Sequence, residues 1–164
     1  DMIKLDGAAD YPEAVTALTR AGVPVWAQFG LTPQTAMSMG IPYENQAGGA
    51  ATLPVDTTKR MIAEAQMLEK AGAVMLDFTK SGPLVGPAVV KSVEIPVIGG
   101  FGGGPWLDGR IRLSSAAVGY NVAALDNEPD TYANVARTIH DALAECASDV
   151  RAARQIKGQA GRKL

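Results

Sequence analysis

Short apolar segments alternate with amphipathic segments along the chain, and this alternation predicts a repeated strand–helix unit. Strands are predicted at residues 2–5, 23–29, 73–78, 95–98 and 111–114. Helices are predicted at residues 11–21, from 32, at 56–70, at 85–93 and at 132–155. Strands that are apolar on both faces and joined by helices are typical of a parallel sheet. The pattern therefore predicts an α/β fold, and it fits a doubly wound open sheet as well as a (β/α)8 barrel.

The ends and inner faces of the first and third helices can also be predicted. Gly22 and Gly72 follow the two helices at the position where glycine commonly ends a helix. Asp56 is the predicted N-cap of the third helix. The residues expected to face inward are Ala14, Val15, Leu18 and Ala21 on the first helix and Met61, Ala65 and Leu68 on the third.

The composition is that of an ordinary globular domain, with 47% hydrophobic and 20% charged residues. The formal net charge of −2 leaves no basic excess for nucleic acid, and no apolar run reaches membrane-spanning length. The first residues lack the basic-then-apolar pattern of a signal peptide. The single cysteine, Cys146, excludes an internal disulfide and a cysteine-based zinc site. We therefore expect a cytoplasmic protein without nucleic-acid or membrane partners.

Polar side chains stand at the ends of three otherwise apolar strands. Lys4 and Asp6 end the first strand, Gln28 the second and Asp77 the third. A buried charge is costly unless it is paired or lies in a site, and the carboxyl ends of barrel strands are where catalytic side chains converge. Each residue could instead face solvent at a strand terminus. Asp77 is the best candidate for a site residue, because its neighbours in VMLDF are apolar.

A glycine cluster follows the fourth predicted strand. Its members are Gly99, Gly100, Gly102, Gly103 and Gly104. Backbone N–H groups of such a loop could hold an anion, but the spacing matches neither a dinucleotide fingerprint nor a P-loop. A tight turn after the strand is the alternative. The residues expected to rim the mouth of a site beside this cluster are Trp106, Asp108 and Arg110.

The last predicted helix carries the histidine and the cysteine of the chain. His140 is predicted to lie on the helix surface and Cys146 to be a small packed side chain. Chemistry at a site in this chain is therefore expected to use carboxylates, amides and lysine.

Four segments resemble ketopantoate hydroxymethyltransferase in order and spacing. They are IKLDG at 3–7, AGVPVWAQFGLTPQ at 21–34, LEKAGAVMLDF at 68–78 and IPVIGGFGGGPWLDGRI at 95–111. The chain is identified as a divergent member of that family, within the isocitrate lyase/phosphoenolpyruvate mutase-like barrel superfamily. The resemblance implies a (β/α)8 barrel, to which this chain supplies about the last five strand–helix units in residues 1–115. Residues 116–164 would form a C-terminal helical extension and a basic tail.

The chain departs from the family pattern at three chemical positions. Asp6 stands where the family has its metal-binding Glu, Gln28 where it has its active-site His, and Asp77 where it has its catalytic Glu. Lys4 is kept. Asp in place of Glu keeps the charge with a shorter reach, and Gln in place of His removes a titratable group. These departures suggest a changed substrate or reaction.

The family reaction is the Mg²⁺-dependent transfer of a hydroxymethyl group from methylenetetrahydrofolate to a 2-oxo acid, in pantothenate biosynthesis. It passes through a metal-stabilised enolate. By resemblance, Asp6 is the metal ligand, and Lys4 and Asp77 are catalytic. The residues implied to bind substrate are Lys4, Gln28, Gly100 and Gly102.

Two alternative functions are kept, and a part of the barrel is expected outside this chain. A Mg²⁺-dependent C–C lyase or hydrolase on a 2-oxo or related acid is the first alternative, and a catalytically degraded regulatory or structural subunit is the second. A typical barrel needs about 250 residues, so about 90 are expected to be missing from this chain. A second polypeptide, an N-terminal half or an artificial end of the segment would account for them. The resemblance also implies a homo- or hetero-oligomer.

Overall fold

A computed structural model describes residues 1–38, 40, 54–100, 103–126 and 131–158. Residues 1–111 and 112–164 form two compact units. The strands of the first unit are β1 (Ile3–Leu5), β2 (Val25–Gly30), β3 (Met75–Thr79), β4 (Val97–Gly99) and β5 (Gly109–Arg110). Its helices are α1 (Pro12–Arg20), α2 (Pro33–Ser38), α3 (Thr58–Lys70) and α4 (Gly82–Val90), with 3₁₀ turns at Ala8–Asp10 and Val55–Thr57. The second unit contains α5 (Ser114–Ala117), α6 (Ala123–Asp126) and α7 (Val135–Arg151).

The five strands form one sheet in the order β1-β2-β3-β4-β5. Every neighbouring pair is parallel. The predicted α/β fold, with a parallel sheet of five strands alternating with helices, is confirmed. This consecutive order is the one found in the wall of a (β/α)8 barrel, whereas a doubly wound sheet reverses its order at a switch point. The sheet is therefore consistent with part of a barrel.

The hydrophobic core lies between one face of the sheet and the helices. Val25, Ala27 and Phe29 of β2 are at most 2% exposed, and they alternate with residues of the other face. The Phe29 ring stacks on Phe78 of β3, with centroids 4.4 Å apart. The helix residues in the same core cluster are Val15 of α1, Met61, Ala65 and Leu68 of α3, and Val85 and Val89 of α4.

The opposite face of the sheet keeps partial access to solvent. Trp26 and Met75 are register partners on β2 and β3, and both are partly exposed. Ile98 of β4 is also partly exposed. A parallel sheet normally has both faces covered. Within the described residues, the sheet is therefore packed mainly on one side.

The inner faces of the helices agree with the sequence, except near their ends. Val15, Met61 and Leu68 are fully buried, as predicted. Ala21 is exposed, because α1 ends at Arg20 and Ala21 already belongs to the following turn. The Asp56 N-cap prediction is wrong. Asp56 lies inside a 3₁₀ turn, and α3 begins after Thr57 without a side-chain cap.

The last strand was predicted too far along the chain, by two residues at its start and four at its end. Strand β5 pairs with β4 through Gly109, which is the register partner of Ile98. A Cβ on Gly109 would lie 2.8 Å from the Ile98 side chain, so glycine allows the two strands to approach. Residues 111–113 lie outside the sheet, and Ser114 begins α5. The apolar run was misleading here, because close backbone packing decided the pairing.

Helix α7 begins at Val135 and is capped by Asn134, whose side-chain oxygen accepts a hydrogen bond from the Arg137 backbone N–H. His140 is exposed on this helix, as predicted. Cys146 was predicted to be packed and is exposed, on the same helix face as the exposed Leu143. Residues 159–164 of the predicted basic tail lie outside the described residues, and the functional division at 115 stays a prediction. Each helix in the described part of the chain is too short or too polar to cross a bilayer.

The substitution Gly30→Ala should destabilise the first unit more than Gly22→Ala does. Both glycines have positive φ, at +99° and +81°, but a Cβ on Gly30 would lie 2.6 Å from the Thr79 carbonyl oxygen, while Gly22 faces open space. We expect about 1 kcal/mol for Gly22→Ala and about 1–3 kcal/mol more for Gly30→Ala, from overpacking. Urea unfolding followed by circular dichroism measures both, and equal losses would contradict the crowding at Gly30.

Candidate active site

The polar strand-end residues lie on the less covered face of the sheet. Lys4 is on β1, Gln28 on β2 and Asp77 on β3, and Gln28 is the direct register partner of Asp77. Asp6 follows β1 at the level of Gln28. Residues two apart in a strand share a face, and these positions alternate with the buried residues of the core. Three adjacent strands thus bring the four side chains to one region.

Lys4 is at the centre of the contacts among these four residues. Its Nζ lies 3.2 Å from Asp77 Oδ2, and it also donates to Asp6 Oδ1. The Gln28 side chain donates a hydrogen bond to the Asp77 carboxylate. The structure therefore brings Lys4, Asp6, Gln28 and Asp77 together, and their individual roles stay predictions.

Burial sets the electrostatics of the Asp77 carboxyl, which is 4% exposed. Burial raises the pKa of Asp77, and the charge and hydrogen bonds of Lys4 and Gln28 offset only part of that effect. The negative charge of Asp6 raises the pKa of Asp77 further. A carboxyl group in this environment can take up and release a proton closer to neutral pH than an exposed aspartate.

The pKa of Lys4 is also raised, but its carboxylate neighbours raise it, whereas burial acts against the rise. Burial alone lowers the pKa of Lys4, but the hydrogen bond to Asp6 and the charge of Asp77 outweigh burial and hold the pKa above its usual value. Lys4 therefore stays protonated at neutral pH and supplies a fixed positive charge between the two carboxylates.

Asp6 is the most accessible of the four, with a side chain 71% exposed. Mg²⁺ is usually bound by one or two carboxylates together with water and substrate oxygens. The exposed carboxylate of Asp6 could serve as one of these carboxylate ligands. Among the described residues, no group of three acidic, histidine or cysteine side chains comes together to hold a metal ion. Within the part of the chain that the structure describes, Asp6 is therefore one candidate ligand and not a complete donor set.

The glycine cluster is tightly packed where it is described. A Cβ on Gly100 would lie 2.4 Å from the Ile111 carbonyl oxygen, so the two backbones need glycine to approach this closely. This contact supports the tight-turn alternative for the part of the cluster next to β4. Gly102 lies outside the described residues.

Two of the three residues predicted to rim the site have structural contacts. Trp106 donates its indole N–H to the fully buried Ser81 Oγ at 2.9 Å and packs against the hydrophobic core. Asp108 Oδ2 accepts the backbone N–H of Val97 at 2.8 Å, at the amino end of β4. These contacts give both residues a structural role, and their place at the rim of the site stays a prediction. Arg110 is exposed, and its role stays a prediction.

Trp26 is a site neighbour that sequence reasoning missed. It is the register partner of Lys4, and Lys4 Nζ lies 5.6 Å from the centroid of its ring. Trp26 precedes Gln28 by two positions, so strand periodicity already places it on the same face. That periodicity is the signal that could have found it.

A second missed residue is Lys80, which follows β3 and is 7% exposed. Its φ of +56° is unusual for a residue other than glycine. Burial lowers the pKa of Lys80. The sequence carries no signal that separates this lysine from an exposed one.

Comparison with known sequences identifies the family. The sequence model of ketopantoate hydroxymethyltransferase matches residues 1–155. The chain belongs to the ketopantoate hydroxymethyltransferase family. Relatives named 3-methyl-2-oxobutanoate hydroxymethyltransferase occur in Geobacillus thermodenitrificans (36% identical over 91% of this chain and 51% of the relative), Bordetella petrii (34%, 92% and 52%) and Alkalilimnicola ehrlichii (36%, 92% and 52%). The chain spans about half the length of these curated relatives.

The geometry shows what the replacement of the motif His of ketopantoate hydroxymethyltransferase by Gln28 changes at the site. Gln28, where the family motif has His, donates a hydrogen bond to Asp77 and cannot take up its proton. Of these two residues, Asp77 is therefore the one that can take up and release a proton, and its raised pKa places that exchange above the usual pH range of an aspartate.

The wild-type chain should lose stability relative to Asp77→Asn as the pH rises. Burial holds the folded-state pKa of Asp77 above its ordinary value of 3.8, so the folded chain binds this proton more tightly than the unfolded chain. The resulting stability is fully present below pH 3.8 and is lost as the pH rises through the folded pKa. The loss is about 1.4 kcal/mol for each unit by which the pKa is raised.

Urea denaturation of both chains at several pH values measures this difference. The control is Asp141→Asn, which removes an exposed carboxylate of α7 and shows how much of the change the loss of any one carboxylate causes. Parallel stability curves for the wild-type and Asp77→Asn chains would contradict the raised pKa.

Proposed function

We propose that this chain is part of a Mg²⁺-dependent one-carbon transferase that acts on a 2-oxo acid. One observation carries the proposal. In a member of the ketopantoate hydroxymethyltransferase family, Lys4, Gln28 and the buried Asp77 meet beside the exposed Asp6 on one face of a parallel sheet. The substrate class follows from the reaction after which the relatives are named.

Asp77 is the proposed acid and base. Transfer of a one-carbon group to a 2-oxo acid needs removal of a proton from the carbon next to the carbonyl. Burial raises the pKa of Asp77 and makes its carboxylate a stronger base than an exposed one. Gln28 holds the carboxylate in place and is also the proposed hydrogen-bond donor to a substrate oxygen.

Lys4 is the proposed binding group for the negative charge of the substrate. An ammonium group has three donors, and Asp6 and Asp77 accept two of them. The third donor is directed to the carboxylate of the 2-oxo acid, or to the enolate oxygen that forms when the proton leaves. Lys4 stabilises that oxygen because it stays protonated.

Asp6 is the proposed ligand of Mg²⁺, and the remaining donors come from substrate, water and another polypeptide segment. When bound, Mg²⁺ would polarise the keto group of the substrate and so acidify the neighbouring carbon. Methylenetetrahydrofolate is the proposed one-carbon donor, and Gly100 and Gly102 stay proposed substrate-binding residues by family resemblance alone. The proposal places the reaction in pantothenate biosynthesis, in the cytoplasm.

A second polypeptide or an N-terminal half is proposed to complete a (β/α)8 barrel. Two observations support it: the strands follow one another in sequence order, and the described residues pack mainly one face of the sheet. A closed barrel would cover the other face, where Trp26, Met75 and Ile98 are partly exposed. The completed protein is proposed to be an oligomer.

Hydrogen exchange at the carbon next to the carbonyl tests the proposed chemistry. The chain, with every polypeptide that co-purifies with it, is incubated with Mg²⁺ and 3-methyl-2-oxobutanoate in D₂O and followed by NMR. We expect exchange, with a loss of about 10²- to 10⁴-fold in Asp77→Asn, because the base is removed. The control Asp141→Asn should exchange at the wild-type rate.

The outcomes separate the three candidate functions. Exchange followed by folate-dependent product formation supports the transferase. Exchange without folate-dependent product supports the C–C lyase or hydrolase. Absence of both exchange and metal binding supports the degraded regulatory or structural subunit and contradicts the proposal.

Native mass spectrometry tests the completed barrel. Under gentle conditions we expect this chain in a complex with at least one further polypeptide that supplies the missing strands. The intact masses of the components then identify that polypeptide. A single species of this chain alone, folded and monomeric, would rule out a native second chain.

A further inference from the structure

The position of the Lys4 side chain depends on more than its two carboxylate partners. Lysine has a long flexible stem, and holding it in one position costs conformational entropy. Asp6 is 71% exposed, so water and salt weaken its attraction for the ammonium group. Asp77 lies on the third strand, across β2 from Lys4. A group on β2 that restrains the lysine stem would therefore matter for the site.

Trp26 is the group of β2 in that position. It is the register partner of Lys4, and the Lys4 Nζ lies 5.6 Å from the centroid of the indole ring. This distance is within the range of a cation–π contact. Strand β2 has no charged side chain, so Asp6 and Asp77 are the acidic groups that face Lys4.

The indole nitrogen gives an independent reason to assign the contact to the ring face. Trp26 Nε1 is buried and finds no acceptor among the described residues. Within the described residues, the ring face and not the N–H group is the part of Trp26 that lies against the Lys4 ammonium.

We propose that Trp26 is a positioning residue, whose ring face holds the Lys4 ammonium against Asp77. The assignment deepens the proposed function, on which its catalytic meaning rests, since Lys4 is the cation of the same site. The contact between the Trp26 ring and the Lys4 ammonium can be measured without substrate. It does not depend on the charge of Asp6, so it persists when the Asp6 carboxylate binds another cation.

Side-chain NMR of Lys4 in the labelled chain tests this contact without substrate or metal. In the wild-type chain we expect nuclear Overhauser effects between the indole ring and the Lys4 Hε protons, an upfield ring-current shift of those protons, and a restricted ammonium group. A Lys4→Arg chain assigns the signals. Absence of the Overhauser effects and of the ring-current shift in the wild-type chain would overturn the proposal, whatever the behaviour of the variants.

Variants at position 26 separate the ring face from the rest of the side chain. Trp26→Phe keeps an aromatic face and should keep the ring-current shift in part and the restricted ammonium. Trp26→Leu and Trp26→Met both remove the aromatic ring. Each variant that folds should lose the ring-current shift at Lys4 and have a mobile Lys4 ammonium. The proposal would be overturned if the Lys4 ammonium stayed restricted in Trp26→Leu or Trp26→Met. It would also be overturned if the ammonium became as mobile in Trp26→Phe as in those two variants.

Met75 offers a matched control on the same face. It is the register partner of Trp26 on β3 and is also partly exposed, but it carries no ring. Met75→Leu changes the packing beside Trp26 and should leave the Lys4 signals unchanged. If Met75→Leu mobilises Lys4 as much as Trp26→Leu does, general packing explains the effect and the proposal fails. Because these measurements use no substrate, a failure of hydrogen exchange in the 2-oxo acid leaves them interpretable.

Discussion

The ion pair between Lys4 and Asp77 joins the first and third strands of the sheet across the second. Its Nζ and Oδ2 atoms are 3.2 Å apart, and Asp77 is 4% exposed. A buried carboxylate without a counter-ion is strongly unfavourable, so the Lys4 ammonium favours the charged form of Asp77 in the middle of β3, while burial favours the neutral form. The pairing in turn requires β1, β2 and β3 to be adjacent and in this register. The site and the sheet therefore depend on one another.

One face of the sheet packs in the core and the other carries the site residues, because side chains alternate along a strand. On β2, Val25, Ala27 and Phe29 join the helices in the core, while Trp26 and Gln28 face the site. A register slip of one residue would exchange the two sets and bury Gln28 in the core. The apolar residues on the site face are consistent with the proposed barrel, in which a further wall covers them.

Much of the fold could be predicted from the sequence, because apolar runs and their spacing determine which segments enter the sheet. Convergence of the strand-end side chains followed from the same reasoning, since carboxyl ends of parallel strands lie at one edge. The position of β5 could not be predicted, because close backbone approach at Gly109 decided it. The buried Lys80 and the ring of Trp26 beside Lys4 were also missed, because burial and side-chain direction depend on tertiary packing.

The departures from the family motif act together in this geometry. Gln28 donates a hydrogen bond to Asp77, whereas a histidine could also exchange protons with its neighbours. A shorter side chain at position 77 keeps its carboxyl nearer to the buried strand, and burial is the largest influence on its pKa. Both changes leave Asp77, beside an amide and an ammonium, as the carboxyl group to which the proposed proton transfer is assigned. A site of this kind can deprotonate a carbon acid with a single base, provided that the substrate carries its own acidifying carbonyl.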